Sequence, residues 1–345
     1  MRKYIHIGFP KNFSTSLQRD YFSMHPELFH LGIGLNNSNL GYYNSEVEKT
    51  FEVYFKTCKS FKYQTVKDKI KNQFDELFNS VDREKYKAVG VSAEHLSFSF
   101  SYDSISSEEK AQRLYDVFGS DTTIVMIVRN QMDLIKSLYR ESVRVGFIGD
   151  FEEYIKLVYK YQDRNFVYDF RFDLMFDCYS KLFGKDNVKV LFFEDYRGDN
   201  NQLNESDVNC KLFEDLNKAL NLSNPKMELK HYNEALPKDK ILIKSQFNKG
   251  NRHDLGNHLL ESAEKHRIVR YLEEDLEFFE LEKETYSDVI AKRECIDHAI
   301  NSEESLDLIF DQNIAEFKKL KDFYRVGNQN LEKILNISLP EKYLN

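Results

Sequence analysis

Residues 122–128 (Thr-Thr-Ile-Val-Met-Ile-Val) form an almost unbroken apolar run, the pattern of a strand covered on both faces inside a parallel sheet. Shorter β-rich runs occupy 4–8, 88–92 and 188–193. Between them the apolar positions recur at helical spacing. Val47, Phe51, Tyr54 and Phe55 mark an amphipathic helical stretch over 45–80, and 107–118, 151–160 and 169–183 continue the helical pattern. Leu17, Tyr21 and Phe22 follow Ser14 and Thr15, a hydroxyl pair suited to a helix start. A further helix follows Arg129-Asn130 through Leu134, Ile135 and Leu138. Strands alternating with helices predict an α/β fold, a three-layer parallel sheet with helices on both faces and ligands at the carboxyl ends of the strands. From about Leu255 the chain becomes charged, helix-prone and nearly free of strand signals. The expected division is therefore 1–255 for the sheet domain and 256–345 for a helical C-terminal extension.

Composition narrows the function classes. Lysine and arginine total 49 against 57 aspartates and glutamates, a net charge of −8. A whole-protein basic field for nucleic acid is thus absent, although a few cations suffice for a nucleotide pocket. Cys58, Cys178, Cys210 and Cys295 show neither a CxxC nor a Cys/His spacing, which argues against a zinc site or a disulfide scaffold. No apolar run has the length of a signal peptide or a membrane span. Asn12-Phe13-Ser14 is formally a glycosylation sequon, but it falls in the loop most suited to phosphate binding, so a cytoplasmic location is expected.

That loop, Gly8-Phe9-Pro10-Lys11-Asn12-Phe13-Ser14-Thr15-Ser16-Leu17-Gln18, joins the first strand directly to a helix start. Unpaired N–H groups and the positive end of the helix dipole make such a junction a ready site for phosphate or sulfate. Lys11 adds a point charge, and three hydroxyls add donors. Walker A is not satisfied: Lys11 follows Gly8 by three residues and no Gly-Lys-Ser/Thr occurs. A second junction, after the apolar run, carries Arg129-Asn130-Gln131 and then Ser137 two helical turns on. Arg129 and Ser137 can converge on one phosphate there.

The first loop resembles the 5′-phosphosulfate loop of sulfotransferases that use 3′-phosphoadenosine-5′-phosphosulfate (PAPS), closer to the carbohydrate-type, bacterial-like members. The resemblance implies that Lys11 steadies the bridging oxygen of the leaving nucleotide, with Pro10, Asn12, Phe13, Ser14, Thr15 and Ser16 completing the cradle. Phe13 stands where that family usually has glycine, and would be strained if the loop needs a positive φ there. Arg129 to Tyr139 resembles the family's 3′-phosphate motif, with Gln131 in place of the usual proline. Residues 188–199 resemble its late core strand ending in Glu-Asp. Lys249 and Arg252, in Phe-Asn-Lys-Gly-Asn-Arg, resemble a loop that closes over the 3′-phosphate. The implied activity is sulfuryl transfer from PAPS to a hydroxyl or amine, leaving adenosine 3′,5′-bisphosphate and requiring no metal. The implied acceptor is a glycan, glycolipid or small metabolite.

An acceptor hydroxyl also needs a base, and Ser92-Ala93-Glu94-His95 supplies two candidates after the 88–92 strand, Glu94 first and His95 second. Adjacent residues at a strand end point to opposite sides, so one of them is expected to reach the site. His6, in mid-strand, reads more readily as a core histidine. Taken singly, Lys11 is an ordinary solvated loop lysine and Arg129 a structural cation. Two other classes stay open: a kinase-like nucleotide-dependent phosphotransferase, and a non-catalytic nucleotide-binding protein.

Overall fold

In a computed structural model of the chain, the described residues are 1–32, 41–56, 58–98, 105–144, 147–162, 165–196, 205–225, 227, 310 and 313–344. Five parallel strands, β1 (Arg2–His6), β2 (Leu28–His30), β3 (Ala88–Ser92), β4 (Thr122–Val128) and β5 (Val188–Phe192), form one sheet in the order β2-β3-β1-β4-β5. Ile124 to Val128 have no exposed surface at all, which explains the unbroken apolar run. Burial of each such large apolar side chain is worth about 1.5–3 kcal/mol. Alternate residues feed different layers: Ile124, Met126 and Val128 join one apolar cluster, and Val125 and Ile127 the other. The smaller cluster packs Tyr4, Tyr21 and Phe22 against Leu212 and Leu216 of α8 (Glu205–Leu220). The larger covers the opposite face with α3 (Ser60–Ser80), α4 (Ser107–Phe118), α5 (Gln131–Arg144), α6 (Phe151–Lys160), α7 (Phe172–Phe183) and α9 (Ala315–Leu335). The expected α/β class and two-faced parallel sheet are present.

The 45–80 stretch is not one helix. It divides into α2 (Ser45–Lys49), a π-helical continuation (Thr50–Tyr54) and α3, because Lys59 is extended (φ −68°, ψ 154°). Likewise α1 (Ser14–Ser16) widens into a π-helical stretch over Leu17–Phe22. Phe166, Phe170, Phe172 and Phe176, from the aromatic-rich segment, are core residues. Helix α9 packs on α5, α6 and α7, and the chain then ends in a turn of 3₁₀ helix, Glu341–Tyr343. No helix among the described residues is long and apolar enough to cross a membrane.

Candidate active site

The strand order places a switch point beside β1. From β1 the chain moves outward to β2 and returns through β3, and from β4 it moves the other way to β5. In open parallel sheets the crevice for ligands opens at the carboxyl ends of the two strands where the winding reverses. Here those strands are β1 and β4, and the loops that follow them are 8–13 and 129–130. The two junctions singled out in the sequence therefore lie side by side. A hydrogen bond joins them: Arg129 Nη1 donates to the Lys11 carbonyl at 3.0 Å.

The first loop is curled by two left-handed residues, Lys11 (φ 62°) and Phe13 (φ 61°, ψ 5°). The positive φ anticipated at Phe13 is thus present, at a position where a bulky side chain costs about 1–2 kcal/mol. Stacking offsets it, since the Phe13 ring lies on Phe193 with centroids 4.4 Å apart. The guanidinium of Arg129 also sits 4.8 Å from the Phe193 ring centre. Asn12 is wholly buried and donates to the Ile127 carbonyl at 2.7 Å, pinning the loop to β4. The sequon asparagine is accordingly inaccessible in the folded protein. Phe13, as the residue preceding α1, has no side-chain oxygen to cap the first-turn N–H groups.

Lys11 Nζ pairs with Glu141 Oε2 at 2.9 Å. Glu141 lies one helical turn beyond Ser137 on α5. Glu94 comes from the 3₁₀ turn after β3 and sits close enough to Ser14 and Lys11 for both to act on its ionisation. Burial raises its pKa, while the Ser14 hydroxyl and the Lys11 charge oppose that rise and Glu141 adds to it. The His95 ring instead packs 5.6 Å from that of Phe98. Beneath the turn, Lys110 is buried and donates to the carbonyls of His95 and Phe98 at 2.8 and 2.9 Å. Burial lowers its pKa to about 8. Ser97 braces the same turn against the Gly8 carbonyl at 2.6 Å.

Lys11, Ser14, Glu94 and Arg129 thus gather around one loop. Tyr139, at the end of the Arg129–Tyr139 segment, is buried in an aromatic cluster with Phe147, Phe151 and Tyr154. Lys249 and Arg252 lie outside the described residues. Sequence reasoning missed Glu141, although its i+4 spacing from Ser137 was available, and treated Glu194 only as a strand-end marker. Glu194 Oε1 in fact accepts the Asn130 N–H at 3.0 Å and so backs the second junction.

Side chains from three elements enclose the backbone of Gly8. A Cβ built there would meet Ser14 Oγ at 2.9 Å, His6 Cε1 at 3.1 Å and Glu94 Cγ at 3.4 Å. Gly8 is therefore close-packed, and a side chain there would displace its neighbours. Around it stand the Lys11 ammonium, the Ser14 hydroxyl and the carboxyl groups of Glu94 and Glu141.

The molecule is thus an α/β protein whose Lys11 and Arg129 loops meet at the β1/β4 switch point of a five-stranded parallel sheet. Its sequence matches no protein-family model and no curated protein. Among solved structures it is similar to the sulfotransferase of Alicyclobacillus acidocaldarius, at 17% identity and a TM-score of 0.44, covering 76% of this chain and 96% of that one.

Proposed function

We propose that this protein is a PAPS-dependent sulfotransferase acting on a hydroxyl or amine of a glycan, glycolipid or small metabolite, in the cytoplasm. The observation that carries this reading is the adjacency of the two candidate junctions, tied by the Arg129–Lys11 hydrogen bond. One junction would hold the 5′-phosphosulfate through Lys11, Ser14, Thr15 and Ser16. The other would hold the 3′-phosphate through Arg129 and Ser137. When bound, PAPS supplies the sulfuryl group; the chain's own residues supply charge, orientation and a base. Lys11 would release Glu141 and offset charge on the leaving oxygen, and Glu94 would take the acceptor's proton. Base assistance of this kind is typically worth about 10²–10⁴-fold. A kinase-like reading has less support, because the loop lacks the Walker A glycine and lysine spacing.

Calorimetric titration with adenosine 3′,5′-bisphosphate, with adenosine 5′-monophosphate as control, tests the proposal. Binding that depends on the 3′-phosphate is expected. Equal binding of the two nucleotides, or none, would favour the phosphotransferase or non-catalytic alternatives.

A further inference from the structure

The residues on either side of Arg129 are held by the end of the chain. Gln131, the first residue of α5, and Asn328, from α9, are each 1% exposed. Their amides bond reciprocally: Gln131 Nε2 donates to Asn328 Oδ1 at 2.8 Å, and Asn328 Nδ2 donates to Gln131 Oε1 at 3.0 Å. The same two nitrogens also donate to the carbonyls of Phe170, at 3.2 Å, and Tyr343, at 2.8 Å. Each buried amide therefore has partners for both its nitrogen and its oxygen, and removing one side strands the other without water.

The final turn completes the clamp. Asn130 Nδ2 donates to the Lys342 carbonyl at 2.6 Å, and the Tyr343 hydroxyl lies 3.4 Å from the Val128 carbonyl and bonds Glu194. Lys342 Nζ reaches Glu194 Oε1 at 3.1 Å and Asp133 Oδ2 at 3.6 Å. Val128, Asn130 and Gln131 are thus all fixed by residues 328–343, and Arg129 lies between them. Such a lattice of satisfied buried polar groups specifies one geometry, because any other leaves donors unpaired at low dielectric.

We propose that Asn328 and Tyr343 are positioning residues that set the direction of Arg129, so that the C-terminal segment determines selectivity for a 3′-phosphate. This inference rests on the donor-site reading above and assigns the C-terminal segment a part in it. Neither residue touches the nucleotide; both act through the Arg129 turn.

The test measures dissociation constants of adenosine 3′,5′-bisphosphate and adenosine 5′-monophosphate for the full chain, Asn328→Ala and Tyr343→Phe, together with thermal melts. Asn328→Ala is expected to lower the ratio of the two affinities on the order of tenfold, as one misdirected charge-assisted contact implies. Tyr343→Phe keeps the ring and its packing, so it folds even where Asn328→Ala does not, and should lower the ratio by a smaller factor. A purely structural role would lower the melting temperature and leave the ratio alone, and that result overturns the inference while sparing the donor-site reading. A wild-type protein with no preference for the 3′-phosphate overturns both.

Discussion

Phe13 and Phe193 stack with ring centroids 4.4 Å apart, and this contact accompanies a left-handed backbone at Phe13. The pair joins the loop after β1 to the segment after β5, and Arg129 lies against the same Phe193 ring. A strained residue in the cradle is therefore held by packing rather than relieved by glycine.

Separating strain from stacking gives the first prediction. Phe193→Ala removes the stack, keeps the strained backbone and empties a site that is 3% exposed, so it should cost about 3–5 kcal/mol. Phe13→Gly removes stack and strain together and should cost distinctly less. Chemical denaturation of both variants measures the difference, and equal losses would mean that Phe13 is not strained in solution.

Glu94 gives a prediction with a defined sign. Its pKa is raised chiefly by burial, so the folded state holds the proton more tightly than the unfolded chain. The stability linked to this group is complete below the unfolded pKa and is lost as pH rises through the folded value. Glu94→Gln should therefore melt higher than the parent at pH 8, with the gap closing toward pH 4. In a sulfuryl-transfer assay the parent's acid limb should lie above the ordinary carboxylate range, and the variant should lose turnover while retaining nucleotide binding. Unchanged turnover would remove Glu94 as the base.

Acid should act through His6. Its ring is buried, Nδ1 meets Ser92 Oγ at 2.7 Å, and burial, then the nearby His30, lowers its pKa from 6.5 to about 3. The neutral form is the one that folding favours, so this contribution is complete above pH 6.5 and is lost as pH falls toward 3. Between pH 7 and 5 the denaturation midpoint of the parent should fall more than that of His6→Gln. Parallel pH dependences for the two proteins would contradict this.

Lys11 and Arg129 should separate by nucleotide. Arg129→Ala is expected to weaken adenosine 3′,5′-bisphosphate by tenfold or more, about 1.4 kcal/mol, and to affect adenosine 5′-monophosphate less. Lys11→Ala should weaken both nucleotides and abolish sulfuryl transfer, with the melting temperature little changed because its ion pair with Glu141 is partly exposed. Full activity in Lys11→Ala would refute its assigned role.

Much of this was legible in order along the chain. The apolar run of β4 demanded cover on both faces, and local spacing marked Gly8–Gln18 and Arg129–Ser137 as candidate junctions. Periodicity could report these because the signals lie within one element and its adjoining loop. It could not report β2, only three residues long, which joins the sheet edge through its pairing with β3. Nor could it report that 45–80 breaks, since the break lies at a backbone turn rather than in the hydrophobic period.

The layered α/β class could be read from the pattern of residues alone, and the same pattern marked two candidate junctions and the candidate bases Glu94 and His95. Tertiary structure decided which of these meet. Lys11 and Glu141 are 130 positions apart, and Gln131 and Asn328 are 197 apart, yet each pair is in hydrogen-bond contact. Strand order brought the two junctions together at the β1/β4 crevice, and helix packing delivered the chain's last residues beneath Arg129. Local propensity carries no information about such contacts, because they arise only when distant elements bury their apolar faces against the same sheet.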